Sequence, residues 1–418
     1  PDLVGVTELT SPYFFVPPSG NTAERPENCE PGTLRFNTDI GSLEVFRGKT
    51  IGWESIQRRD SQYLGGGTGS NTGTGTRGLF GMGYAPNTGH SRIDAVTIQT
   101  LGDATDFADL TNSTRNFGCA SSSTRGLFCH GANANGPSET NIIDFITIAN
   151  QGIDCQDFGD STVVSRQQAG VSNGTRAVFG GGYTEPSSPY LKDIMDYVTI
   201  AQTGNAVDFG NLSNASRVTA SVNSTTRGVY ALAQPGAANI LDFITISTTG
   251  NATDFGDRTV ISDFPTATSN STRGIFAGGD GNSDSANNVI NFITIATLGN
   301  AVDFGDLLSR RTRFVGATVS PTRALFAGGN SPSTDNVIQF VEIATTGDAI
   351  DFGDLVASNL GFGGGGLGSP TRAVFVVGNN TDVDYVQIMT TGNAKDFGDV
   401  TDSGSSGGGC SNGHGGLG

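Results

Sequence analysis

The residues with the clearest chemical potential are a recurring Asp-Phe pair, beginning at Asp106, Asp157, Asp208, Asp254, Asp303, Asp351 and Asp396, followed by Gly in six of the seven copies and by Ala in the first. Asp-Phe-Gly holds magnesium in phosphoryl-transfer enzymes, but it works there with a Lys-bearing strand and a His-Arg-Asp loop, and neither accompanies it here. Its recurrence points to structural work. Phe107, Phe158, Phe209, Phe255, Phe304, Phe352 and Phe397 would fill apolar space, Gly would permit a bend, and Asp would bond to a turn. The three histidines, His90, His130 and His414, are too separated to read as a metal site. The five cysteines include no CxxC spacing and form no disulfide framework, and Cys119 and Cys129 read as two independently buried thiols, with a cross-strand contact between them as the alternative. The acidic loop Asp280-Gly281-Asn282-Ser283-Asp284 offers oxygen ligands of the kind calcium takes, yet an ordinary polar turn has the same composition. No catalytic residues, cofactor or metal are expected.

The elements that must position these residues are set by composition and repetition. The 418 residues carry 23 Lys+Arg against 40 Asp+Glu, a formal charge of −17, which repels phosphate and argues against a nucleic-acid partner. No stretch approaches the roughly 20 consecutive apolar residues that span a bilayer, and residues 1–25 do not read as a signal peptide. With 62 Gly the chain is Gly-rich, but 25 Phe and a 35% hydrophobic share are too high for simple disorder.

A Thr-Arg pair, then a small, an aliphatic and an aromatic residue, recurs with its Arg at Arg77, Arg125, Arg176, Arg227, Arg273, Arg323 and Arg372, in steps of 48, 51, 51, 46, 50 and 49 residues. Each copy is followed by an apolar run such as IDFITI and then by the Asp-Phe segment. The runs are β-branched, aromatic and bounded by Gly, Asn, Ser and Thr, which predicts strands covered on both faces. Small-residue segments such as GCASSS and TATSNS precede each Thr-Arg pair, as expected where backbones converge. Each unit therefore reads as four strands: a, the small-residue segment; b, after Thr-Arg; c, the IDFITI run; and d, around Asp-Phe-Gly-Asp. The seven Arg and seven Asp predict one Arg–carboxylate bond per unit or unit junction.

Four-stranded units at this period read as an all-β, seven-bladed β-propeller. Residues 61–418 resemble the kelch-type propellers in a strand b ending in Gly-Gly (Gly180-Gly181, Gly278-Gly279, Gly328-Gly329), an apolar strand c and an aromatic in strand d. They depart from that family in lacking its repeated Trp: Trp53 is the one Trp and lies outside the repeats. Kelch-type architecture includes a copper oxidase, but its paired His and Tyr ligands have no counterpart here, and sialidase-type boxes are absent. The tail repeats Ser411-Asn412-Gly413 as Ser172-Asn173-Gly174 stand before Thr175. This predicts a propeller over 76–418 whose first blade is closed by a C-terminal strand within 404–417. Residues 61–75 then become a Gly/Ser/Thr linker. The competing reading takes Tyr63 to Ser70 as the first strand a.

Residues 1–31 are Pro-rich and read as an extended arm, in which Phe14 and Phe15 would need a partner surface. Residues 32–60 read as a small module: a hairpin, with a third strand at Gly52 to Ile56. So small a sheet needs packing or oligomerisation, so a homo-oligomer is expected. The module resembles short β modules of bacteriophage tail-fibre and other virion proteins through Gly32, Arg35, Asn37, Thr38, Leu43, Glu44, Val45, Phe46 and Trp53. Propellers with DFGD-like repeats also resemble structural proteins of tailed phages, including those of marine and cyanobacterial phages. The resemblance implies a non-enzymatic virion protein in an extracellular particle, such as a tail fibre or other appendage. Its arm and hairpin module, with Phe14, Phe15 and Trp53, would anchor to other virion proteins.

Length variation adds a functional expectation. From the c-strand Asp, Asn or Gln to the Asp of Asp-Phe the spacing is 12 or 13, whereas from Arg to strand c it ranges from 12 to 20. Variation thus concentrates in the b–c loops, which share a face with the d–a loops. Tyr84, His90, Asn133, Tyr183, Tyr190, Asp280, Asn282 and Asn330 lie there, a set able to stack on sugar rings and bond to hydroxyls of a host-surface glycan. A glycan-binding receptor module and a polysaccharide-active enzyme are the alternative classes; unselected loop drift on an inert spacer would leave the same pattern.

Overall fold

The computed structural model describes residues 17–26, 28–39, 42–49, 52–55, 66–67, 77–85, 88–89, 91–133, 139–185, 189–233, 238–281, 286–312, 314, 316–330, 333–359, 365–369, 371–377, 380–404 and 407–411. Among these the chain is all-β, with one 3-10 turn and no α-helix. It divides into two compact units, Pro1–Arg59 and Asp60–Gly418.

In the first unit, β2 (Leu34–Asn37) and β3 (Ser42–Phe46) form the expected hairpin, and β4 (Trp53–Ser55) adds the third strand. The arm is only partly irregular: β1 (Ser19–Gly20) pairs in parallel with β2, and Thr22–Glu24 forms a turn capped reciprocally by Asn21 and Glu24. That cap satisfies backbone donors which a Pro-rich composition does not reveal. Beneath the arm the sheet buries its polar side, Arg35, Asn37 and Glu44, together with Phe46, while Leu34 and Phe36 stay exposed at 41% and 36%. Glu44 compensates this burial by accepting from Arg25 Nε at 3.2 Å and Asn37 Nδ2 at 2.8 Å, with Arg35 at 3.6 Å. The Arg25 bond, before the other contacts, holds the Glu44 carboxyl below its usual range.

The second unit is built of four-stranded antiparallel sheets of the kind that form propeller blades. In the third repeat, strands a to d are Ala169–Ser172, Arg176–Gly180, Ile194–Thr199 and Val207–Asn211, hydrogen-bonded in that order. Strand a is buried in each repeat where its burial is described, apart from half-buried Gly365, and a Cβ on Gly170 would lie 2.4 Å from the Cys119 carbonyl oxygen. Small residues are needed there because neighbouring backbones touch. The free thiols Cys119, Cys129, Cys155 and Cys410 are all buried, and desolvation raises each thiol pKa.

Asp-Phe-Gly proves to be a β-bulge. Met195 pairs with Gly210 and Asp196 with Asp208, leaving Phe209 as the extra residue, turned inward and 2% exposed. Gly210 takes φ +140°, and a Cβ there would sit 2.4 Å from the Gly250 carbonyl oxygen of the next repeat. The next repeat's c–d loop also covers the strand d edge: Gly250 N donates to Phe209 O at 2.7 Å and Ala252 N to Asn211 O at 2.8 Å. An edge that would otherwise invite association is thereby paired.

The first sheet takes its strand a from the C terminus. Gly408–Ser411 pairs with Arg77–Gly81, within the expected 404–417. The competing placement of strand a at Tyr63 to Ser70 is not found there. Instead Gly66–Gly67, inside the expected linker, pairs with Val222 and Asn223 on the fourth sheet, because glycines can approach an unpaired inner edge closely. Strand a of each sheet touches strand a of the next, and Gly408–Ser411 touches both Gly118–Ser121 and Gly365–Gly368.

Candidate functional site

The repeated arginines join neighbouring sheets. Nη1 of Arg125, Arg176, Arg227, Arg273 and Arg323 donates to the carbonyls of Ile200, Ile246, Ile295, Ile343 and Ile388 at 2.7–3.2 Å. Arg77 reaches Ile148 O at 2.8 Å, and Arg372 reaches Ile98 O at 3.0 Å. Six of these guanidiniums lie over the c-strand aromatic of their own sheet, as Arg227 does over Phe243 at 4.6 Å. This corrects the expected bond to the Asp of Asp-Phe: the recurring partner is a main-chain carbonyl. Asp208, Asp254, Asp303, Asp351 and Asp396 instead accept from the Gly amide two residues on, stabilising the bulge. Arg323 does meet a carboxylate, Glu342, at 2.6 Å.

Buried carboxylates of strand c also span the junctions, and the spacing analysis treated them only as markers. Asp94, Asp144, Asp196, Asp242 and Asp384 are buried and accept from main-chain amides of Thr401, Thr111, Thr162, Ser213 and Val356 at 2.7–3.0 Å. Asn291 and Gln339 accept in the same way from Thr259 and Leu308. A polar residue at a fixed place in an otherwise apolar strand was the signal. Desolvation raises the pKa of all five Asp, that of Asp384 to about 6.

The variable b–c loops do share a face with the d–a loops, since the two pair through Thr114–Asn133, Arg166–Tyr183, Asp263–Asp280 and Thr312–Asn330. Asn133, Tyr183, Asp280 and Asn330 are therefore held by backbone ladders at their loops' roots. The most developed cluster lies on the third sheet. Tyr183 and Tyr190 stack with centroids 6.2 Å apart and planes at 26°, Tyr190 is 48% exposed, and the Arg166 guanidinium lies over Tyr183 at 5.2 Å. The Tyr183 hydroxyl donates to Glu185 at 2.5 Å, and Arg166 bonds Glu185 at 3.1 Å and lies 3.5 Å from Glu139. The Glu185 bond pushes the Tyr183 hydroxyl pKa up and that of Glu185 down. A half-buried Tyr183 stacked on an exposed Tyr190, beside acceptors and a guanidinium, has the chemistry to stack on a sugar ring and bond to its hydroxyls. Between the fourth and fifth sheets, Arg217 lies over Phe264 at 4.8 Å and bonds Asp263 at 2.5 Å.

His90 and Asn282 lie outside the described residues, as do Phe14 and Phe15; for Tyr84 the backbone strand Tyr84–Ala85 is described. Trp53 packs within its own sheet, 5.5 Å from Phe46 and beneath Arg35 at 5.8 Å. Among the described residues no three His, Cys, Asp or Glu side chains gather as a metal site. Comparison with protein-family models and with curated proteins finds no match.

Proposed function

We propose that this chain is a non-enzymatic structural protein of a bacteriophage particle, an appendage whose repeats close as a seven-bladed propeller and present one variable face to host-surface glycans. The closed ring is supported by the Arg, Asp and strand-edge bonds that recur from each sheet to the next and from the last to the first. Arg372 to Ile98, Gly102 to Phe397 and Thr401 to Asp94 make that final junction. The phage assignment rests on the resemblance of residues 32–60 and of the repeats to virion proteins. In this reading the first unit attaches to other virion proteins, with exposed Leu34 and Phe36 as contact residues beside the arm, and self-association completes its small sheet.

The single observation favouring recognition over inert spacing is the Tyr183–Tyr190 stack with Arg166 and Glu185. An inert loop gains nothing from holding an aromatic pair half in water. The reading is tested on a glycan array with the full chain, comparing it with Tyr190→Ala. It expects selective binding that the substitution abolishes. Cleavage of a bound polysaccharide would replace it with the enzyme class.

A further inference from the structure

Six c strands place an aromatic ring, Phe145, Tyr197, Phe243, Phe292, Phe340 or Tyr385, beneath the repeat Arg. The same ring meets the bulged Phe of strand d edge-on, with centroids 5.7–6.0 Å apart. The first sheet breaks the pattern, because Ala95, paired with Leu79 as Phe145 is with Leu127, occupies that place. A cavity of about 260 Å³ opens there, lined by Ala95, Arg77, Phe107, Leu101, Asp103 and Gln151 among others. Arg77 settles over Phe107 at 5.4 Å instead, while still donating to Ile148 O. Elsewhere the chain fills this position with a ring of its own.

We propose that this junction is a binding site for a single aromatic ring, phenyl or phenol, which enters the place left by Ala95. The ring would lie under the Arg77 guanidinium and against Phe107, reproducing the arrangement its sister junctions build internally. Leu101 and Gln151 line the cavity from c–d loops, on the face opposite the variable loops. The inference is therefore independent of the proposed glycan recognition. The ring could belong to a free small molecule or to a tyrosine side chain of a partner.

The test is titration of the full chain with p-cresol and with an N-acetylated, amidated Gly-Tyr-Gly peptide, followed by ligand-observed NMR. Saturable p-cresol binding, weakened about tenfold or more by Ala95→Phe, supports the site. If p-cresol alone binds, the ligand is a free ring; if the peptide binds as well, a partner's tyrosine fits. Ala95→Leu provides a smaller filling should Ala95→Phe not fold, and Phe145→Ala should add a second site at the next junction. Absence of saturable binding to the wild-type chain, or equal binding to wild type and a folded filled variant, would overturn the proposal.

Discussion

At the scale of single residues, the chain replaces the expected Arg–Asp bond with two separate devices, and each makes a prediction. Arg227 stacks on Phe243 and bonds the Ile295 carbonyl, so Arg227→Met should cost about 1–2 kcal/mol in chemical denaturation, and Lys should recover little of it. The spacing made the recurrence of Arg visible but not its partner, because a main-chain carbonyl leaves no mark in a side-chain pattern. Asp384 illustrates the second device. Its folded pKa is raised to about 6 by desolvation, so the native state holds a proton that the unfolded chain releases nearer 4. Its contribution to stability is therefore fully present below about pH 4 and is lost as pH rises through about 6. Asn291 and Gln339 already serve as neutral acceptors at equivalent positions. Asp384→Asn should thus raise the thermal midpoint at pH 7 and flatten its fall between pH 4 and about 6. An unchanged pH profile would show that this carboxyl does not titrate as described.

Among elements, the bulge explains why Asp, Phe and Gly recur together. Phe209 is the residue that strand c does not pair, and its ring enters a core shared with Ile244 and Ile246 of the following sheet. Phe209→Ala should cost about 3–5 kcal/mol by differential scanning calorimetry or urea unfolding. Gly305, at φ +146° and with a Cβ that would lie 2.4 Å from the Gly347 carbonyl oxygen, should not accept Ala without losing more than about 1 kcal/mol. The strands, the b–c and d–a face and the small-residue inner strands were legible because β-branched periodicity and Gly punctuation are local signals. The pairing of Ser19–Gly20 with β2, and of Gly66–Gly67 with the fourth sheet, was not. Both depend on which distant edge is open, and neither two-residue strand has a periodicity of its own. At the variable face, Tyr183 and Tyr190 could be picked out as aromatic loop residues, but their stacking and the Arg166–Glu185 frame arise only when the d–a loop folds beside them.

At the scale of the molecule, each repeat sheet of the second unit lends junction residues to the next, so the stability of that unit should be shared rather than summed sheet by sheet. Gly408–Ser411 covers strand b of the first sheet, where Leu79 and Phe80 are fully buried. A chain ending at Gly407 should unfold at a lower temperature than the full chain and aggregate from the exposed edge, as read by differential scanning calorimetry and light scattering. The most direct measurement is a glycan-array profile of the full chain beside Tyr183→Ala and Tyr190→Ala, each first shown to melt like the wild type. The account predicts a restricted set of bound glycans for the wild type and loss of that set in both variants. A blank wild-type array, or a profile that survives both substitutions, would contradict it.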